Sequence, residues 1–140
     1  MSRLYTLKVY PAGLGRSVYR EIAISGRATL DKLCLAILDA YDFIHEHLYE
    51  FCMDNRMYSE YSYQSDPEPG QRGTKITLDK LGLVEKQVFS LHYDFGDDWM
   101  FAIKVLKIED IERVGKPEVL KAKGSITQYP DWGDEEDEEY

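Results

Sequence analysis

VFSLHYDFGDDWMFAIKV, residues 88–105, decides how the chain folds. Two runs rich in β-branched and aromatic residues flank FGDD, which is the pattern of a β-hairpin. If Tyr93 stands opposite Trp99, then Leu91 meets Phe101 and Phe89 meets Ile103. One face then carries Phe89, Leu91, Tyr93, Trp99, Phe101, Ile103 and Val105. The other carries Ser90, His92 and Lys104, with Met100, Ala102 and Leu106. A strongly aromatic face and a mixed one suit a hairpin laid over a core. In the turn, Gly96 is the residue expected at positive φ, and Asp97 and Asp98 tolerate turn geometry and hydrogen-bond local amides.

The same turn raises a chemical question, because Asp94, Asp97 and Asp98 fall close together beside His92 and Trp99. Hard cations are held by clustered carboxylates, yet the spacing and terminal Glu of an EF-hand loop are missing. A kinase reading of DFG fails without a catalytic HRD loop or a Gly-rich phosphate loop. His45 and His47 form an H-x-H pair that shares a face only on a strand. HExxH is absent, since Tyr49 stands four residues after His45. His45, His47 and His92 are therefore weak metal candidates, and no metal or other cofactor is expected. No GxSxG or motif-placed cysteine marks a nucleophile.

Working outward, RLYTLKVY (3–10) and SVYREIAI (17–24) read as strands joined by the loop PAGLGR. In TLDKLCLAILDAY, Leu30, Leu33, Ile37, Leu38 and Tyr41 recur at helical spacing, with Thr29 as N-cap and Asp31 in the first turn. HLYEFCMD (47–54) reads as a strand, and residues 56–73 as a long polar loop. TLDKLGL (77–83) echoes TLDKLCL (29–35); the echo predicts the same capping used twice, with Gly82 stopping the second copy after about one turn. PEVLKAK (117–123) supplies a short final strand. The expected class is α+β: a single domain, mainly antiparallel sheet built from hairpins, with one long and one short helix packed on it.

Composition bounds the function classes. The chain of 140 residues is 44% hydrophobic and 13% aromatic, ample for one core. Its 26 acidic side chains include seven in DWGDEEDEEY (131–140), leaving 19 against 17 basic ones, a body at −2. A run of like charge repels itself, so residues 1–128 are expected as the domain and 129–140 as an acidic, disordered tail. This balance argues against nucleic acid as a partner and leaves room only for a local basic patch. Cys34 and Cys52 form no CxxC pair, and Cys34 falls in the helical pattern, as a buried thiol in a reducing compartment would. No apolar run approaches membrane-spanning length, and the N-terminus lacks a signal-peptide core. A cytoplasmic protein without a membrane partner is expected.

Several stretches in order resemble one family: LKV (7–9), VYREIAISGRATLDKLCLAILDAYDF (18–43), HEHLYEF (45–51), TLDKLGL (77–83) and YDFGDDWMFAIKV (93–105). Together they resemble the plasmid pRiA4b ORF-3-like family, some members of which are labelled resolvase-like passengers of insertion elements. The resemblance implies an α+β fold with a mainly antiparallel sheet and little defined chemistry. Tyr19, Glu21, Tyr49 and Phe101 stand where the family pattern often has Trp, Arg, His and His, which removes potential ligands.

The sequence therefore predicts a non-enzymatic binding or accessory protein of the mobile-element type, with another protein as its partner. Its candidate surface is the loop 56–73 with the Asp94–Trp99 turn, using Asp94, Asp97, Asp98 and Trp99, with Arg20 and His47 as neighbours. The alternative is a divalent-metal-dependent hydrolase or nuclease built on Asp94, Asp97 and Asp98.

Overall fold

The computed structural model describes residues 2–113 and 115–129. Seven strands form one open antiparallel sheet: β1 (Ser2–Pro11), β2 (Tyr19–Ser25), β3 (Tyr49–Cys52), β4 (Ser62–Gln64), β5 (Val88–Tyr93), β6 (Trp99–Ile111) and β7 (Glu118–Lys123). Their order is β4-β3-β5-β6-β1-β2-β7. The single α-helix among the described residues is α1 (Leu30–Ala40), so the protein is mostly β. No helix here is long and apolar enough to cross a membrane.

The hairpin register holds as read: Tyr93 pairs with Trp99, Leu91 with Phe101 and Phe89 with Ile103. β1 lies beside β6 and resolves its own ambiguous alternation by turning Tyr5, Leu7 and Val9 inward. The Leu30, Leu33, Ile37 and Leu38 stripe of α1 closes over these residues and is almost wholly buried. Each such side chain contributes about 1.5–3 kcal/mol by leaving water. Thr29 caps α1 by accepting from Lys32 N at 3.2 Å. The helix ends where Asp42 takes φ 58°, letting Phe43 N donate back to Leu38 O at 2.9 Å.

Several expectations need correction. The short second helix is only a 3-10 turn, Leu78–Leu81, stopped as expected by Gly82 at φ 70°. Thr77 makes no side-chain cap there, so the echo does not repeat the capping. Instead the two copies meet: Thr29 and Thr77 face one another in an antiparallel bridge, with Leu30 N on Ile76 O (3.0 Å) and Leu78 N on Ala28 O (2.9 Å). Finally, the segment 56–73 is not all loop, because β4 pairs with β3 at the sheet edge. Strand 47–54 contracts to β3, and residues 45–48 are irregular. Of the expected tail, Tyr129 packs back on the domain, and residues 130–140 lie outside the described residues.

Candidate functional site

The five residues between β5 and β6 form a tight turn held by its first aspartate. Asp94 Oδ1 accepts from Gly96 N (3.0 Å) and Asp97 N (3.3 Å), and Asp98 N donates to Asp94 O (2.6 Å). Gly96 is not the left-handed residue; Asp94 (φ 67°) and Asp98 (φ 54°) are. Aspartate tolerates that region because its short side chain bonds local amides. The turn is present, but the local amide bonds expected of Asp97 and Asp98 are made by Asp94, and the positive φ expected of Gly96 falls on the aspartates that begin and end the turn.

Asp98 then reaches back over the sheet. Its Oδ1 lies 2.6 Å from His92 Nε2, while His92 Nδ1 lies 2.7 Å from Glu50 Oε2. Glu50 and His92 stand directly opposite in the β3–β5 pair, on the face away from α1, and both are 0% exposed. Tyr58 and Phe95 roof the imidazole, with ring centroids 5.2 and 4.8 Å from it. Glu50 also accepts from Tyr58 N (2.7 Å) and Gln64 Nε2 (2.8 Å). Burial alone raises its carboxyl pKa, but the hydrogen bonds from His92, Tyr58 and Gln64 outweigh this and hold it below the ordinary carboxylate value. Each ring nitrogen of His92 thus faces a carboxylate oxygen, Glu50 on one side and Asp98 on the other.

The other candidates divide. His47 Nε2 lies 3.4 Å from Asp94 Oδ2 and 2.6 Å from the Tyr129 hydroxyl. His45 instead meets Asp39 at 2.9 Å, so the H-x-H pair does not converge. Asp97 is exposed. Trp99 stacks on Phe101 and meets Phe43 edge to face, and its indole N–H has no partner among the described residues. Arg20 is a strut: it donates to Ala40 O, Tyr19 O and Lys123 O at 2.9–3.0 Å and lies 4.5 Å over the Tyr41 ring. It pairs with none of the three carboxylates among the described residues.

These positions overturn the Asp94/Asp97/Asp98 metal cluster. Asp94 is spent on its own turn and His47, Asp98 on His92, and Asp97 on neither. Among the described residues no group of three or more His, Cys, Asp or Glu is arranged to hold a metal. Glu50 and Asp98 flank opposite nitrogens of one ring and cannot converge on a cation with it. The thiols offer no nucleophile either. Cys34 and Cys52 are buried and free. Burial raises both their pKa values, that of Cys52 to about 12 with the Glu50 charge adding to the effect.

Glu50 and Tyr58 were the residues that sequence reasoning missed. A glutamate inside the apolar run of YEFC was the available signal, since a strand buries such a residue only with a partner.

Comparison with known proteins identifies the family and the fold. The model of a family described as plasmid pRiA4b ORF-3-like protein matches residues 3–134. A crystal structure of a protein of unknown function from Methanosarcina mazei Go1 superposes with a TM-score of 0.75 at 25% identity, covering 99% of this chain and 81% of that one. No curated protein matches the chain.

Proposed function

The chain belongs to the plasmid pRiA4b ORF-3-like family, and from that premise we propose that it is a cytoplasmic binding or accessory protein with no catalytic centre of its own. Its partner is another protein, met by the segment 56–73 together with the Asp94–Trp99 turn. One observation carries this reading: a hydrogen-bonded chain, Gln64–Glu50–His92–Asp98, ties the two halves of that surface through the sheet. Such a chain fixes two otherwise separate loops in one geometry, which lowers the ordering cost of docking. Both oxygens of Glu50 and both ring nitrogens of His92 are engaged within it.

The rim has the composition of a recognition surface. Tyr58 (62% exposed), Tyr61 (55%) and Met57 (38%) present large apolar groups beside a polar recess of about 330 Å³ lined by Ser59, Glu60, Gln64, Gln71 and Arg72. Exposed tyrosine and methionine flanked by polar groups favour a protein partner. The two free buried thiols fit a reducing compartment.

The test is affinity capture with the full chain as bait. A specific partner should be retained by the wild type and lost when Met57→Ala and Tyr61→Ala, both on the exposed rim, are combined, with thermal stability near wild type. Retention by the double variant at wild-type level refutes the placement of the surface. Turnover of a hydrolysable substrate that depends on Asp97 and Asp98 refutes the non-catalytic reading.

A further inference from the structure

Overall composition argues against nucleic acid, yet strand register gathers cations that the sequence scatters. On β1, Leu7 and Val9 face the core, so Lys8 points to the sheet face away from α1. Lys8 stands directly opposite Glu21 of β2 on one side and Lys104 of β6 on the other. Lys121 of β7 stands opposite Glu21 in turn. Directly opposed residues share a face, so one row reads Lys121, Glu21, Lys8, Lys104. Lys123 faces Tyr19 in the adjoining row, and its Nζ donates to Arg16 O at 2.8 Å. That contact brings the β1–β2 loop over the same face.

Between loop and sheet lies an open groove of about 700 Å³, lined by Lys8, Tyr10, Arg16, Glu21, Lys104 and Leu106. Three cations and one carboxylate line it, and Lys121 and Lys123 flank it. Among the described residues none of these five cations is in an ion pair. Lys8 and Lys104 opposed directly are a destabilising pair unless an anion relieves them. Two aromatic rings are interleaved: Lys8 Nζ lies 4.7 Å from the Tyr19 ring centroid and 5.6 Å from that of Tyr10.

We propose that this face binds single-stranded nucleic acid. The phosphates track across Lys8, Lys104 and Arg16, with the β7 lysines beyond, and a base rests against Tyr19. Cations beside π-faces on an open sheet suit a flexible single strand, which adapts its backbone to them. A duplex fits poorly, because among the described residues no helix or ribbon projects from this face to enter a groove. An acidic peptide would use the cations and leave the tyrosines idle. The groove is separate from the segment 56–73, so this inference stands apart from the protein-binding surface.

The test is fluorescence anisotropy of a labelled oligothymidylate of about a dozen nucleotides with the full chain, at about 50 to about 200 mM salt. Three phosphate contacts predict a log–log salt slope of about −2, a loss of roughly fifteenfold across that range. Combining Lys8→Gln with Lys104→Gln should weaken binding at least tenfold. Arg16→Gln, on a loop outside the sheet, should weaken it severalfold, and decides the matter if the double variant unfolds. The proposal is overturned by no anisotropy rise at the lower salt, or by affinity unchanged in Arg16→Gln. It is overturned equally if a Glu-rich peptide of similar length competes as well as unlabelled oligonucleotide, which would make the groove a site for acidic protein.

Discussion

His92→Ala separates a structural keystone from a surface ion pair. The imidazole and the Glu50 carboxylate are both 0% exposed, and His92 is one of the three partners Glu50 bonds, with Tyr58 N and Gln64 Nε2. Breaking a buried pair by removing one member costs about 3–5 kcal/mol, and the Tyr58 N and Gln64 Nε2 bonds that Glu50 keeps put this case toward the lower figure. The contact on the other nitrogen counts for little, since the Asp98 side chain is 45% exposed and such pairs contribute about 0–1 kcal/mol. Packing adds to the loss, because Tyr58 and Phe95 would roof an empty space. His92→Ala should therefore cost about 4 kcal/mol, out of a total stability of roughly 5–15 kcal/mol. Asp98→Asn, which keeps a residue that tolerates the left-handed turn position, should cost about 1 kcal/mol or less. At roughly 3–4 °C per kcal/mol for a domain of this size, that is a fall in Tm of about 12–16 °C against a few degrees. Urea titration and thermal melting followed by circular dichroism measure both. A His92→Ala loss below about 1 kcal/mol, or an Asp98→Asn loss equal to it, would refute the assignment of Glu50–His92 as the energetic centre of the site.

Glu50 also sets a pH dependence. Its folded-state pKa lies below the ordinary 4.5, so its contribution is full above that value and is lost as pH falls through the folded pKa. The urea midpoint should drop between neutral pH and the region below 4.5 more steeply in the wild type than in Glu50→Gln; parallel profiles would show that Glu50 does not carry the effect. A thermal-shift panel of Mg²⁺, Mn²⁺, Ca²⁺ and Zn²⁺ should be flat, whereas a bound ion at a hundred times its Kd would add about 2.7 kcal/mol; a shift abolished by Asp97→Ala with Asp98→Ala would revive the hydrolase reading. Gly124→Ala should destabilise by about 2 kcal/mol or more in a melting experiment, because Gly124 sits at φ 67° and an added Cβ would lie 2.4 Å from Ser17 O. Neither Cys34 nor Cys52 should react with a thiol reagent in the native protein, while both should react in urea; rapid native labelling would contradict their burial.

Much of the fold is legible in local pattern. Alternation across Phe89, Leu91, Phe101 and Ile103 sets the hairpin register, because slipping it by one residue turns every aromatic out to water. Leu30, Leu33, Ile37 and Leu38 repeat at 3.6-residue spacing behind a threonine cap, and this is α1. The second TLDKL was less readable, since Gly82 left it one turn and its threonine was drawn into a bridge with Thr29. Periodicity reports the element's beginning and not its competing partners.

Of the site, the sequence by itself determined the turn: Asp94, Gly96 and Asp98 make their own local hydrogen bonds, within reach of a few residues. It also determined the family, through the order of its motifs. Only the tertiary structure decided which charges meet. Glu50 and His92 are 42 positions apart, and Lys8, Lys104 and Lys121 lie on three different strands. Pairing of charges depends on distance in space, and strand order β4-β3-β5-β6-β1-β2-β7 is not the order of the chain. The same total charge is thereby sorted into a sealed Glu50–His92 pair beneath one loop and a row of cations open to solvent on the same sheet.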